Sequence, residues 1–377
     1  MNVQVYLVSA QAAANLLPAL DPALKPDKAV LIVSPKMQRQ ADNLKKAMQE
    51  AGVEVTLQLL EDEHNYSRTE EQLLELAGEY EGDNVTLNIT GGTKLMSLAA
   101  QKAADAAEWR MFYVDMDTDQ VNWLNEGKQH SSQHTLSEQL RLRHYLQGYG
   151  FSLPSKPVTL QITPQQQQLT ETLIQQIGSL EKPLSQLNWL GQQAEDRKSL
   201  SVTLNEWQRD SRGLEVLLRD FEEAGALSEK DGRLTFADET QRAFVKGGWL
   251  EAHVSKVLNS LKTDLSIRDS AANLMVEDNG GVKNELDIAF MARNRLFLIE
   301  CKTARMDKPE AAKANDALFK LAEIGKRVGG RVTRSMLVSY RKLKDSEIRL
   351  AKALNIELVC GAEFVRLDEK LKKWVGR

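Results

Sequence analysis

Cysteine is scarce in this chain of 377 residues: Cys301 and Cys360 are the only two. Two thiols build neither a disulfide framework nor a cysteine-rich zinc site. Long apolar runs are also missing. None approaches the roughly 20 residues that cross a bilayer, so no membrane association is expected. The opening MNVQVYLVSA has no basic stretch ahead of an apolar core, and it reads as a first strand rather than a secretory signal. The cytoplasm is the expected compartment. A self-similar period of about 20–50 residues is absent, which excludes repeat architectures. The phosphate-binding pattern GxxxxGK[ST] is absent too.

What remains is the composition of a soluble globular protein, 42% hydrophobic and 27% charged. Its length predicts two or three domains. The net charge of −4 is unevenly spread. Residues 1–160 carry 14 basic and 21 acidic side chains, residues 161–245 carry 9 and 14, and residues 246–377 carry 26 and 18. The last third is therefore the part suited to a polyanion, because neutralising phosphates needs lysine and arginine. A solvated basic surface would read the same way.

Hydrophobic patterning divides the chain similarly. VQVYLVS (3–9), AVLIVSP (29–35), EVTLQLL (54–60), NVTLNIT (84–90) and RMFYVDM (110–116) are near-continuous apolar strands separated by helical stretches. That pattern predicts a parallel sheet covered on both faces, a Rossmann-like α/β domain. A turn at 117–120 leads into VNWLN. SKPVTLQITPQQ (155–166) breaks the pattern and reads as a linker. LEVLLRDFEEAGAL (214–227) is an amphipathic helix with an Ala-Gly stop. ALSEKDGRLTF (226–236) is a hairpin turning at Asp231-Gly232. Helix followed by hairpin predicts a winged helix-turn-helix, and its acidity favours a spacer or dimerisation role over DNA binding. The expected boundaries are 1–154, 155–245 and 246–377. The last is a second α/β domain, with a helix over 247–261, a strand near 273–278, a hairpin over 284–303 and a helix over about 309–327.

The sharpest chemistry lies in NELDIAFMARNRLFLIECKT (284–303). With the turn at 293–295, Asp287 and Glu300 fall in adjacent strands. Side chains alternate between faces, so Glu300 and Lys302 share one face with Cys301 opposite. Two carboxylates and an ammonium converging there suit Mg²⁺ or Mn²⁺, hard cations that prefer oxygen ligands. Lys302 is placed to orient a water, take its proton or stabilise developing negative charge. The bland alternative is a surface Glu300–Lys302 ion pair. Against it, the triplet ends the very apolar run LFLIE, where unpaired charge is costly. Glu251 lies on one helical face with Val254 and Leu258, as a ligand to the same ion or as a boundary residue with its head in water. In the first domain, TGGTK (90–94) joins strand to helix. Gly91 and Gly92 let backbone approach a ligand, and Thr90, Thr93 and Lys94 face a helix N-terminus that favours phosphate. A purely geometric turn would look alike.

Glu251, Asp287 and Glu300-Cys301-Lys302 together resemble the PD-(D/E)xK restriction-endonuclease-like superfamily. Leu286 stands where the motif's proline would be. The resemblance implies metal-dependent phosphodiester hydrolysis, with the peptide carbonyl of Cys301 joining Asp287, Glu300 and Glu251 around the metal. The whole order, Rossmann-like domain with GGTK, winged-helix spacer and PD-(D/E)xK domain, resembles the CRISPR ancillary nucleases with a CARF sensor. That resemblance implies a homodimer that binds a cyclic oligoadenylate, usually the tetra-adenylate, across its two-fold axis, and cleavage switched on by that binding. Activator contacts map to Ser9, Ala10 and Gln11, to Ser34, Pro35 and Lys36, and to Thr90, Gly91, Gly92, Thr93 and Lys94. The expected substrate path is Lys326, Arg327, Arg331 and Arg334. DNA nicking, cleavage of single-stranded DNA and cleavage of RNA all fit one such site. The rival reading is a ligand-responsive transcription regulator with an inert third domain. Roughly 85 residues of spacer separate the ends, so the GGTK turn is not expected to touch the nuclease centre of its own chain.

Overall fold

A computed structural model of the chain describes residues 1–125, 134–137, 140–155, 161–303 and 312–376, with the side chains of 312–314 and 331 excepted. The side chain of Arg331 and part of the expected linker therefore lie outside the described residues.

The N-terminal domain is a seven-stranded sheet in the order β3-β2-β1-β4-β5-β6-β7. Its elements are β1 (Asn2–Leu7), α1 (Ala13–Leu20), β2 (Lys28–Val33), α2 (Gln38–Glu50), β3 (Glu54–Leu59), α3 (Tyr66–Glu79), β4 (Asn84–Asn88), α4 (Lys94–Ala106), β5 (Arg110–Asp115), β6 (Gln120–Trp123) and β7 (His134–Thr135). The first five strands are parallel, and β6 and β7 run antiparallel. β1 and β2 are buried almost throughout, because helices cover both sheet faces. β1 lies between β2 and β4, so the strand order reverses there. Such a switch point opens a crevice at the carboxyl ends of the strands.

Next come α5 (Leu142–Gly148) and β8 (Phe151–Ser152), which the sequence reading did not anticipate. β8 pairs antiparallel with the third domain's first strand, Ser152 opposite Glu277 and Phe151 opposite Asp278. The middle segment holds α6 (Pro164–Gln175), α7 (Ile177–Asp196), β9 (Ser201–Thr203), α8 (Glu206–Arg209), α9 (Arg212–Glu223), β10 (Leu227–Lys230), β11 (Arg233–Phe236) and α10 (Glu239–Ala243). A three-stranded sheet β10-β11-β9 packs on the helices, as in a winged helix. α9 stops at Ala224-Gly225, as its sequence predicts.

The C-terminal domain contains α11 (Trp249–Ser260), β12 (Asp269–Asp278), β13 (Lys283–Ala292), β14 (Arg295–Lys302), α12 (Ala312–Gly329), β15 (Arg334–Ser339), α13 (Asp345–Ala353), β16 (Ile356–Cys360) and α14 (Leu367–Gly376). Its sheet has the order β16-β15-β14-β13-β12-β8. The β13–β14 turn is two residues long, Arg293 and Asn294, both at positive φ (49° and 55°). That is the backbone of a tight hairpin matched to strand twist. β12 begins four residues before the expected 273, and Asn273 inside it has φ 48°.

This sheet is a wall between two cores. Ala289, Met291, Leu296, Leu298 and Leu337 face a cluster continuous with Leu16, Tyr145 and Leu146 of the N-terminal region. Ile288, Phe290, Phe297, Ile299 and Val338 face a cluster continuous with Leu187, Leu217 and Phe221 of the middle segment. Phe297 stacks on Phe290 at 4.9 Å and meets Trp374 edge-on at 5.0 Å. Among the described residues, no helix is long and apolar enough to cross a membrane. Phe297→Ala should cost about 3–5 kcal/mol through lost burial and a residual cavity. Chemical denaturation checks this, and a loss under 1 kcal/mol would contradict a two-faced core at that position.

Candidate active site and ligand-binding rim

The register Ile288↔Ile299 and Ala289↔Leu298 sets Asp287 opposite Glu300. The Asp287 carboxylate accepts a hydrogen bond from the Cys301 backbone N–H at 2.7 Å. On the other side of β13, pairing with β12 passes from Ala272↔Ile288 to Leu274↔Leu286, skipping Asn273 opposite Asp287. The ladder thus opens where the aspartate sits. Lys302 Nζ forms an ion pair with Glu300, whose side chain is only 14% exposed. Glu251 enters from the first turn of α11 and is half-buried.

Three carboxylates, Glu251, Asp287 and Glu300, share one ammonium here, and the exposed Glu285 adds its charge to Glu251 and Asp287. Burial, then the charges of Asp287 and Glu285, push Glu251 up to about 7. Burial and the neighbouring Glu300 hold Asp287 well above the ordinary carboxylate range. Burial works against the Lys302 charge, yet Glu300 and Asp287 outweigh it and keep the ammonium above its usual pKa. Burial raises the Cys301 thiol, so its sulfur stays protonated. The structure brings Asp287, Glu300, Lys302 and Glu251 together. Among the described residues, however, no three Asp, Glu, His or Cys side chains form a preset metal-holding group.

The second constellation lies at the switch point of the N-terminal sheet. A Cβ at Gly91 would fall 2.0 Å from the Leu7 carbonyl oxygen, and Gly92 has φ 74°, so both positions require glycine. Thr90 Oγ1 donates to Asn88 Oδ1 at 2.6 Å and accepts from Val114 N at 2.8 Å, tying β4 to β5. Thr93 caps α4 by accepting from Met96 N at 3.2 Å. Ser9 Oγ accepts from Gln11 N at 3.3 Å. Ser34 is buried, Ala10 and Pro35 are exposed, and Lys36 Nζ lies 3.3 Å from Glu63 Oε1. Lys94 is exposed beside them.

Residues 3–145 match the family model of the Card1 CARF domain, and residues 238–377 match that of the Card1-like endonuclease domain. The chain joins a CARF domain to a Card1-like endonuclease domain. Among solved structures it is similar to protein VC1899 from Vibrio cholerae, at 26% identity and TM-score 0.88, covering 100% of this chain and 98% of that one. It is also similar to Can2 from Sulfobacillus thermosulfidooxidans, solved with cyclic tetra-adenylate, at 23% identity and TM-score 0.84, covering 100% and 99%. A type III CRISPR defence DNA nuclease activated by cyclic oligoadenylate gives 17% identity and TM-score 0.61, covering 100% and 51%. The last two likenesses speak for the fold alone. Comparison with curated proteins finds no match.

Of the basic residues expected on a substrate path, Lys326 and Arg327 lie apart from Arg334, and the Arg331 side chain is outside the described residues. Arg327 pairs with Asp278 and lies over the Phe151 ring at 5.5 Å. With the exposed Lys326 it lines a cleft of about 390 Å³ between the CARF and endonuclease domains, which Ser9, Gln11 and Arg39 also line. Arg334 donates to the Trp374 carbonyl at 3.4 Å and lines a different cavity. The GGTK turn contacts Leu7 and Ser9 of its own domain. The strand-one loop beside it does reach the endonuclease domain, since a Cβ on Gly330 would lie 2.8 Å from Gln11 Oε1. Sequence reasoning missed Glu63, His64 and Asn88 at the rim. Asn88 had a signal, an asparagine in an apolar strand; it is fully buried and donates to the Ala14 carbonyl at 3.0 Å.

The raised carboxyls make stability depend on pH. Between the unfolded value of about 4 and the folded value of about 7, the folded protein binds more protons than the unfolded one. Metal-free stability must then fall as pH rises through that window. Melting in EDTA should therefore drop from pH 5 to pH 8, and Glu251→Gln should shrink the drop. Identical pH profiles for the two proteins would contradict the buried-carboxylate geometry.

Proposed function

We propose that this protein is a metal-dependent endonuclease switched on by a cyclic oligoadenylate. The observation that carries the reading is the charge-excess cluster of Glu251, Asp287 and Glu300 around Lys302, set in an endonuclease domain on the same chain as a CARF domain. The donor set fits a hard divalent cation, because buried carboxylates that repel one another are relieved by a positive charge. Asp287, Glu300, Glu251 and the Cys301 carbonyl are the residues assigned to hold it. A bound ion there supplies Lewis-acid polarisation of a phosphoryl oxygen and lowers the pKa of a water.

The protein's own groups divide the remaining work. In the metal-free site Glu300 and Asp287 favour the ammonium form of Lys302; a cation held by those carboxylates would weaken that effect and leave taking the water's proton open to it. As an ammonium, Lys302 donates to a developing phosphorane oxygen or orients the attacking water. Asp287 is held by the Cys301 N–H, which leaves its other oxygen free. Glu251, raised to about 7 in the metal-free site, gives up its proton on joining the cation. The CARF rim offers Lys94 and Lys36 to the phosphodiesters of a cyclic oligonucleotide, beside the glycine turn at Gly91 and Gly92. A homodimer is assigned because a ring with an even number of units shares a two-fold axis with two such rims. DNA is the assigned substrate, by nicking or by cleavage of single strands, with single-stranded RNA as a second. The transcription-regulator reading has less support: α9 exposes Glu215, Glu222 and Glu223 against Arg212 and Arg219, and Arg219 is paired with Glu215.

The test mixes protein with Mg²⁺ or Mn²⁺, supercoiled plasmid, single-stranded DNA or labelled RNA, with and without cyclic tetra-adenylate. Cleavage is expected only with both metal and activator. Asp287→Asn and Glu300→Gln should fall to background, and Lys302→Ala should lose about 10²–10³-fold in kcat. Full activity in Asp287→Asn would reject the site.

Lys94→Ala should raise the activator concentration needed for half-maximal cleavage without changing the rate at saturation. Calorimetry should give one ring per dimer. Activator affinity unchanged in Lys94→Ala, or cleavage indifferent to the ring, would remove the sensor and leave the nuclease. Thr93→Val is a poorer probe, because losing the helix cap costs about 1 kcal/mol by itself.

A further inference from the structure

Gly247 and Thr303 meet more closely than any side chain at 247 would allow. Gly247 has φ 154°, and a Cβ there would lie 2.1 Å from Thr303 Oγ1. The same hydroxyl donates to the Lys246 carbonyl at 3.2 Å. Thr303 directly follows Glu300-Cys301-Lys302, and Gly247 lies one residue before Gly248, the N-cap of the helix whose first turn carries Glu251. Residues Phe244–Gly248 form a kink between α10 and α11, with Gly247 outside helical φ/ψ. The kink is braced from a third side. Lys246 forms an ion pair with Glu195 of α7, and a Cβ on Gly191 of that helix would come within 3.3 Å of Lys246 Cβ.

We propose that Thr303, seated against Gly247, is a positioning residue that fixes the distance of Glu251 from the Glu300–Lys302 strand end. The inference rests on the endonuclease reading of this site. A helix is stiff, so fixing its first turn fixes the carboxylate on that turn. Groups from a helix and a strand act on one phosphate only when held to a fraction of an ångström. The hydroxyl-to-carbonyl bond sets that separation, and the missing Cβ permits it. The Glu195–Lys246 pair makes the winged-helix segment part of the same frame, a structural use for a module whose net charge is negative.

The test compares steady-state cleavage and melting of wild type, Thr303→Val and Thr303→Ser, with metal and activator saturating. Thr303→Val keeps the volume and removes the hydroxyl. It should lower kcat tenfold or more, leave KM within twofold and melt within a few degrees of wild type. Thr303→Ser restores the hydroxyl and should recover most of the rate. If Thr303→Val does not fold, Thr303→Ala takes its place with the same expected result. Equal rates for wild type and Thr303→Val, or equal losses in Thr303→Val and Thr303→Ser, overturn the proposal while the nuclease stands. A wild type inert on every substrate overturns the endonuclease reading and this inference with it.

Discussion

Strand β14 has to satisfy two cores at once, and most of the architecture follows from that constraint. Leu296 and Leu298 belong to the apolar cluster shared with the CARF domain, while Phe297, Ile299 and Cys301 belong to the cluster shared with the winged-helix segment. Each fully buried side chain of this size contributes about 1.5–3 kcal/mol. Sliding the strand by one residue would send every one of them into the wrong core. The strand therefore has a fixed register, and so do the residues at its end. Glu300 and Lys302 project where the apolar run stops. The domain that carries the chemistry is thus held from both sides by the domains that do not.

Electrostatics at that end is one-sided by construction. Lys302 is the ammonium that the shifted carboxyls of Glu251 and Asp287 both feel, and it is paired with Glu300. Burying charge without enough counter-charge is unfavourable, and the tightly packed strands prevent the carboxylates from moving apart. The resulting strain takes the form of raised proton affinity at Glu251 and Asp287. The same packing protonates the Cys301 thiol and leaves the backbone of that residue as its polar contribution.

The CARF and endonuclease domains touch directly as well as through the spacer. β8 extends the endonuclease sheet, Tyr145 Oη donates to the Gly329 carbonyl at 3.0 Å, and Asn279 Nδ2 donates to Asn43 Oδ1 at 3.0 Å. At the other end of the sheet, Asn294 in the β13–β14 turn donates to Asp119 at 3.3 Å. Long-range coupling needs an element with two arrangements that both sites can bias. The strand-one loop, which lies beside the GGTK turn and against Gly330 at the end of α12, joins the two domains directly.

Much of this was legible in the sequence because it depends on local rules. Alternation and a turn at 293–295 put Asp287 and Glu300 in adjacent strands, though only the two-residue turn of the folded hairpin sets them opposite each other, and apolar strands separated by helices gave the doubly covered parallel sheet. The glycines at 91 and 92 announced a close backbone approach, which the Leu7 carbonyl now explains. Tertiary structure alone decided which polar groups are already in use. Thr90 and Thr93 have the right chemistry for a ligand, but their hydroxyls serve Asn88, Val114 and a helix cap. Arg327 and Arg334 look like one basic path and stand in separate cavities, each bonded within the fold. The skip at Asn273, the entry of β8 into the endonuclease sheet and the seat of Thr303 on Gly247 join residues up to about 125 positions apart. Local propensity carries no information about such contacts, because the energy of a buried polar group depends on which partner the folded chain brings to it.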